Sequence, residues 1–233
     1  MVTAAIMQPY FVPYIGYFQL IASVDQFVVY DNLKYTKKGW INRNRILQDD
    51  HAVPLSLPLK KASDFLDICD REMAPDFSGK ALLNQLAGAY RRAPYYAQTL
   101  PLIESILQSD ERNLFRFLND SIHLTCEHLA IHTPITPSSA IAIDHALTGQ
   151  AKVLALCEAV RATTYINAIG GVELYSKDAF RARGIDLKFI KSIPFTYPQL
   201  GSEHVPWLSI IDVLMFNSLS TTQKWVQKGY ELI

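Results

Sequence analysis

The chain has 233 residues, 49% of them hydrophobic, and its 22 Lys and Arg are balanced by 22 Asp and Glu. This length and apolarity provide for one sizeable core or two closely joined lobes and exclude a chain that is disordered as a whole. The even charge balance excludes the whole-chain basic field expected of a nucleic-acid or membrane-surface binder, so any charge argument has to be local.

In chain order, Val2 to Met7 is apolar or small and predicts a buried strand. Gln8 interrupts it, Pro9 and Pro13 forbid continued sheet or helix, and Tyr14 to Ala22 resumes with Ile15, Phe18, Ile21 and Ala22 at helical spacing. Strand, loop and helix in this order put Gln8 to Gly16 beyond the carboxyl end of a strand, where open α/β sheets bind ligands. Met1 to Val24 has the apolarity of a signal or membrane helix but no basic n-region, and two prolines and a glutamine break it. The expectation is a soluble, cytoplasmic protein that is not attached to a membrane. Phe27 to Tyr30 predicts a second short strand running into Asp31, and the alternation Val53, Leu55, Leu57, Leu59 predicts a half-buried strand that its prolines assign to an edge.

Gly79 to Arg92, Pro94 to Leu107 and Asp110 to Ile131 carry apolar residues at three- and four-residue spacing, with Asp110 as an N-cap and Pro101 and Pro134 as interruptions. A short strand near Ile135 to Ile141, a helix from about Thr148 to Arg161, a strand Thr164 to Asn167 ending at Gly170-Gly171, a helix from near Tyr175 and a strand Asp186 to Ile190 follow. The alternation predicts a mainly parallel, Rossmann-like α/β sheet covered on both faces, with a helical insertion. The expected organisation is a single domain over residues 1–233, with an N-terminal α/β part at 1–75, the insertion at 76–133 and a C-terminal α/β part at 134–233.

The local charge argument falls on Leu33 to Gln48, which holds Lys34, Lys37, Lys38, Arg43 and Arg45 without an acid. Tyr35, Trp40, Asn42 and Asn44 are interleaved with these cations. Forked guanidinium groups beside aromatic rings suit a flat, anionic small molecule such as a nucleotide or nucleotide sugar; the bland alternative is a solvated surface loop. Asp31 closes its strand at the same rim, as a general base or as an N-cap or turn residue. Gly170-Gly171 lets a backbone approach a ligand closely, although no full phosphate-binding fingerprint occurs. His123 to His132 (HLTCEHLAIH) does not make a metal site, because residues advance about 100° each on a helix and the set does not share a face. Cys69, Cys126 and Cys157 are too scattered for a disulfide framework or zinc knuckle, and no serine sits in a G-x-S-x-G elbow.

MQPYFVPYIGYFQLI with VDQFVVYDNLKYTKKGWINRNRI, then TYINAIGGVELYSKDAF with GIDLKFI, then YPQLGSEHVPWLSIIDVLMFNS, resemble three blocks of the WbqC-like protein family. The resemblance implies work on surface-polysaccharide (O-antigen) precursors, with transfer of an acyl or aminoacyl group to the amine of a nucleotide-linked amino sugar. The substrate is then a nucleotide sugar, and the donor an acyl carrier protein or acyl-CoA. Neither a metal nor a cofactor is implied, and nucleic acid is not a partner. Arg43, Arg45 and Lys37 would hold the diphosphate, Trp40 or Tyr10 would stack, and Gln8, Tyr14, Gly16, Asn44, Asn167, Gly170 and Gly171 would complete the binding surface. Asp31, Tyr17 and Asn42 are the candidate catalytic residues, Asp31 as base for the attacking amine. The opening is also similar to nucleotidylyltransferases, with Tyr14 and Tyr17 standing where those enzymes carry the histidines of H-x-G-H. Neutral phenols supply no positive charge there, which weighs against nucleotidyl transfer as the rival reaction. A non-catalytic accessory role is the other rival.

Overall fold

A computed structural model describes residues 1–201 and 203–233. It is a mixed α/β fold on a six-stranded, mostly parallel sheet of order β5-β2-β1-β6-β7-β8, with a separate two-stranded hairpin of β3 (Arg43–Gln48) and β4 (His51–Ser56). Strands β1 (Thr3–Met7), β2 (Gln26–Val29), β5 (Ile135–Pro137), β6 (Thr164–Ala168) and β7 (Asp186–Ser192) run parallel, and β8 (Tyr230–Leu232) closes one edge antiparallel to β7.

The period of two in the strands sorts side chains onto two cores. Ala5, Phe27, Val29, Ile166 and Ile190 face one core with α1 (Ile15–Ala22) and α7 (Ile210–Phe216). Ala4, Ile6, Val28, Tyr165, Leu187 and Phe189 face the other, against α5 (Gly149–Ala159) and α6 (Lys177–Arg181). The helices α2 (Gly79–Tyr90), α3 (Tyr96–Leu107) and α4 (Leu114–His128) join the first core through residues such as Tyr90, Ile103 and Phe117. The α1 helix is tied to the C-terminal α8 (Leu219–Lys228) by buried Gln19, whose Nε2 donates to the carbonyls of Trp225 and Gly229 at 2.9 Å each.

Several elements differ from their sequence-based bounds. Arg43–Gln48 is a strand, β3, paired with β4 (His51–Ser56) around Asp49 and Asp50. Both aspartates have positive φ, 49° and 63°, the geometry of a two-residue hairpin turn that Asn-Gly signals more often than Asp-Asp. The N-cap of α4 is Asn113, whose side chain accepts from the Arg116 amide, and not Asp110. Pro101 lies inside α3 and does not interrupt it. The helix after Gly170-Gly171 has only five residues and follows a 3-10 segment, Ile169–Leu174.

Asp212 in the first turn of α7 is fully buried and joins four parts of the chain. It accepts from Tyr90 Oη at 2.8 Å, Tyr197 Oη at 2.6 Å and Gln199 Nε2 at 2.7 Å, while Tyr90 Oη itself accepts from the Leu47 amide at 2.8 Å. Burial raises the carboxyl pKa, and the three donors pull it back part of the way. Asp212→Ala orphans these buried donors at about 1–3 kcal/mol each, so chemical denaturation is expected to show a loss of at least about 3 kcal/mol. A loss below about 1 kcal/mol would show that the donors find other partners.

Candidate functional site

β1 hydrogen-bonds to β2 on one side and β6 on the other, and the chain leaves β1 through α1 toward β2. The carboxyl ends of β1 and β6 therefore diverge into a crevice, the usual ligand position in an open α/β sheet. A cleft of about 600 Å³ opens there. Met7, Gln8, Tyr10, Tyr14, Gly16 and Tyr17 form its β1–α1 wall, and Tyr30, Leu33 and Trp40 flank it. Gly149, Gln150 and Val153 of α5 face Asn167 to Gly171, Leu174 and Tyr175 after β6. The volume falls within the range of small-molecule sites.

The β1–α1 loop is fixed by bonds to its own backbone. Asn44 Nδ2 donates to the carbonyls of Phe11 and Val12, both at 3.0 Å, and Ser209 Oγ donates to Val12 O at 2.6 Å. Tyr17 Oη donates to Gln8 O at 2.9 Å, the Ile210 amide to Pro13 O at 2.9 Å, and the Phe11 amide to Trp40 O at 3.2 Å. These bonds hold Val12 at φ 37°, an uncommon conformation for a β-branched residue that persists only where its surroundings over-determine it.

The first turns of two helices line the cleft, Gly16 and Tyr17 from α1 and Gly149 and Gln150 from α5. Neither α1, with Tyr14 at its N-cap, nor α5, with Thr148, has a side-chain cap. The Tyr17 amide donates to Tyr14 O at 3.0 Å, while the amides ahead of it and those opening α5 are left without a side-chain acceptor, the arrangement that favours an anion. Among the described residues no Asp, Glu, Lys, Arg or His lines the cleft. Its ionisable groups are phenols, and burial raises the pKa of Tyr10, Tyr14, Tyr17 and Tyr175, with Tyr30 pushed up to about 12. At neutral pH these tyrosines are protonated, uncharged donors.

The structure brings Gln8, Tyr10, Tyr14, Gly16, Tyr17, Trp40, Asn167, Gly170 and Gly171 to this cleft. It places Asp31 elsewhere. That carboxylate, 1% exposed, accepts from Ser138 Oγ at 2.8 Å, the Ser139 amide at 2.9 Å and Ser139 Oγ at 2.5 Å, which anchors the turn after β5. Asn42 is occupied by Tyr35 Oη and Leu57 O, both at 2.8 Å. Lys37 pairs with Asp64 at 2.8 Å in solvent, and Arg43 Nε donates to Gly39 O at 3.0 Å. Of the three cations expected at a diphosphate, Arg45 alone reaches the neighbourhood, in a smaller recess that shares Tyr10, Tyr14 and Trp40 with the cleft; Asn44 lines that recess too, with its amide spent on the loop. Gln150, Leu174 and Tyr175 had no sequence signal, since only the β1–β6 pairing brings them opposite Gln8.

Burial pushes the thiols of Cys126 and Cys157 up to about 12 and that of Cys69 up to about 11, which makes them poor nucleophiles. Among the described residues no three His, Cys, Asp or Glu side chains gather as a metal site requires, and no helix is long and apolar enough to cross a membrane.

An open, mostly parallel α/β sheet with a ligand-sized cleft at its switch point defines the class of fold. The chain belongs to the WbqC-like protein family, which matches residues 8–224. It is 30% identical over 219 residues to the uncharacterized protein Rv1507c of Mycobacterium tuberculosis, covering 91% of this chain and 92% of that protein. No solved structure matches the chain.

Two glycines in the cleft are explained by their neighbours. A Cβ on Gly16 would lie 2.5 Å from Cζ and Oη of Tyr14, so it is the Tyr14 ring that needs the missing side chain. A Cβ on Gly171 would collide with Asn167 Nδ2, whereas one on Gly170 would meet open space. In thermal melts Gly170→Ala is expected to stay within about 0.5 kcal/mol of the parent, whereas Gly171→Ala should destabilise the protein and displace the Asn167 amide. Gly16→Ala should turn the Tyr14 ring out of its place in a crystal structure. Equal behaviour of Gly170→Ala and Gly171→Ala would show that the Asn167 amide moves freely.

Proposed function

We propose that this protein is a transferase acting on a nucleotide-linked amino sugar, with the sugar nucleotide bound in the β1–β6 cleft and an acyl or aminoacyl group passed to its amine. One observation carries the reading: the first turns of α1 and α5, both without a side-chain cap, line a neutral cleft of about 600 Å³. The amides of such turns favour phosphate without a cationic side chain, and the tyrosines offer rings to a base or sugar. Family membership supports the polysaccharide-precursor context.

The reaction suits the residues present. When a free amine attacks an activated acyl carbonyl, a C–N bond forms, the bond to the leaving thiol breaks, and the amine proton passes to solvent or to the leaving group. That chemistry is promoted mainly by orientation and by neutral donors at the developing oxyanion, which the protonated phenols and the Gln8 and Asn167 amides are suited to provide. Asp31 is assigned no proton transfer here, because its oxygens are engaged by Ser138 and Ser139. The donor would be an acyl carrier protein or acyl-CoA. A Rossmann-like, nucleotidylyltransferase-like sheet is compatible with the strand order, but Tyr14 and Tyr17 bring no charge to a transferring phosphate, which weighs against nucleotidyl transfer.

A thermal-shift panel of nucleotide sugars, nucleotides and acyl donors tests the reading, since a ligand at 100 times its dissociation constant adds about 2.7 kcal/mol. Nucleotide amino sugars are expected to shift the melt and free sugars are not. Gln150→Glu adds a negative charge at the N-terminus of α5, which favours the helix by about 0.3–1 kcal/mol and opposes a phosphate. The variant should melt no lower than the parent and lose the nucleotide-sugar shift. An unresponsive parent protein would favour the accessory role.

A further inference from the structure

The protein exposes two of its three tryptophans, Trp40 at 43% and Trp207 at 55%. They lie far apart in sequence, yet both line one recess of about 160 Å³ beside the cleft, together with Tyr10, Pro13, Tyr14 and Arg45. Exposed tryptophans cost hydrophobic free energy, and two around one small recess form a platform on which a flat ring can stack.

Arg45 supplies the charge. Its Cζ lies 5.4 Å from the Trp40 ring centre, and Nη2 donates to Trp207 O at 3.1 Å. Its Nε is enclosed without a hydrogen-bond partner, and among the described residues no carboxylate pairs with it. A guanidinium held without an acid, beside the Trp40 indole and bonded to the carbonyl of Trp207, is complementary to an anion attached to an aromatic ring. Trp207 is also held at φ 59°, a conformation rare for a bulky side chain. The strand supports it from both sides, through Arg45 Nη2 to Trp207 O and through the Ser209 amide to Arg45 O at 2.9 Å. Backbone strain kept in place beside an exposed aromatic ring is a mark of a binding position.

We propose that Trp40, Arg45 and Trp207 form a second subsite, opening onto the cleft past Tyr10 and Tyr14, that clamps a planar ring carrying a phosphate. This deepens the nucleotide-sugar reading and rests on it for the choice of probes. Two molecules carry such a group: the nucleotide end of the sugar substrate, and the adenosine bisphosphate end of a coenzyme-type acyl donor.

Calorimetric titration of the whole protein with adenosine 3′,5′-bisphosphate, with UDP and dTDP, and with the unphosphorylated nucleosides tests the subsite, with tryptophan fluorescence followed in parallel. At least one phosphorylated probe should bind and quench emission, and its nucleoside should bind at least tenfold more weakly. Trp207→Leu and Arg45→Gln should each weaken that probe at least tenfold, given stacking and charge-assisted contacts of this kind. Trp207→Leu should leave the melting temperature unchanged, because the ring is largely exposed. Binding of the bisphosphate alone assigns the subsite to the donor, and binding of UDP or dTDP alone assigns it to the sugar nucleotide. The proposal is overturned if no phosphorylated probe binds at millimolar concentration, if nucleosides bind equally well, or if both variants keep the parent affinity. A nucleotide sugar that still shifts the melt of Trp207→Leu fully, while no probe is weakened by either substitution, keeps the cleft and removes the subsite. Loss of that shift in Gln150→Glu, with probe binding intact, separates the two compartments from the other direction.

Discussion

The backbone of the loop between β1 and α1 sets the terms for the rest of the site. It turns sharply at buried Phe11 and Val12, so its carbonyls leave water and must find donors inside the protein. The donors come from the helix that follows, through Tyr17, and from distant parts of the chain: Asn44 on the hairpin, and Ser209 and the Ile210 amide at the start of α7. Three elements are thereby brought to one loop, and the cleft and the recess are the spaces left on either side of it.

The resulting surface has an unusual electrostatic character for a site proposed here to take a phosphorylated ligand. Its charge comes from peptide dipoles at two helix starts and from one guanidinium, while the phenols stay neutral because burial holds their protons. Most cations of the Lys34–Arg45 segment serve other ends. Lys37 is neutralised by Asp64, and Lys34 lies 4.2 Å over the exposed ring of Phe65. A composition that reads as a phosphate-binding run is in part a solvated surface and in part the polar frame of a hairpin.

The alternation of strands and helices was legible because each element carries its own period: Ala4, Ala5 and Ile6 read as strand, and Phe117, Leu118 and Ile122 as helix, without reference to anything distant. The cleft's β1 wall and the Asn167 to Gly171 turn were legible for the same reason, since both follow immediately on a strand. What could not be read were hydrogen-bond obligations. Nothing local in Asp31 distinguishes a free carboxylate from one engaged by Ser138 and Ser139 more than a hundred positions later. Nor does Asn44 announce that its amide belongs to Phe11 and Val12. The β3 strand was hidden by polar residues, because a two-stranded hairpin buries only one face, and Trp207 was silent because its partner surface, Arg45, lies on that strand.

The pairing of β1 with β6 also governs when the cleft can exist. Val2 donates to Thr163, 161 positions further on. A ribosome adding about 5–20 residues per second takes on the order of 10–30 s to supply the second strand after the first has emerged. During that interval β1 can pair with β2 but keeps its other edge open, with the apolar side chains meant for the second core uncovered. Closing so long a loop is slow in its own right. The growing chain therefore carries a sticky, half-built sheet for much of its synthesis, and the crevice between β1 and β6 is among the last features to form.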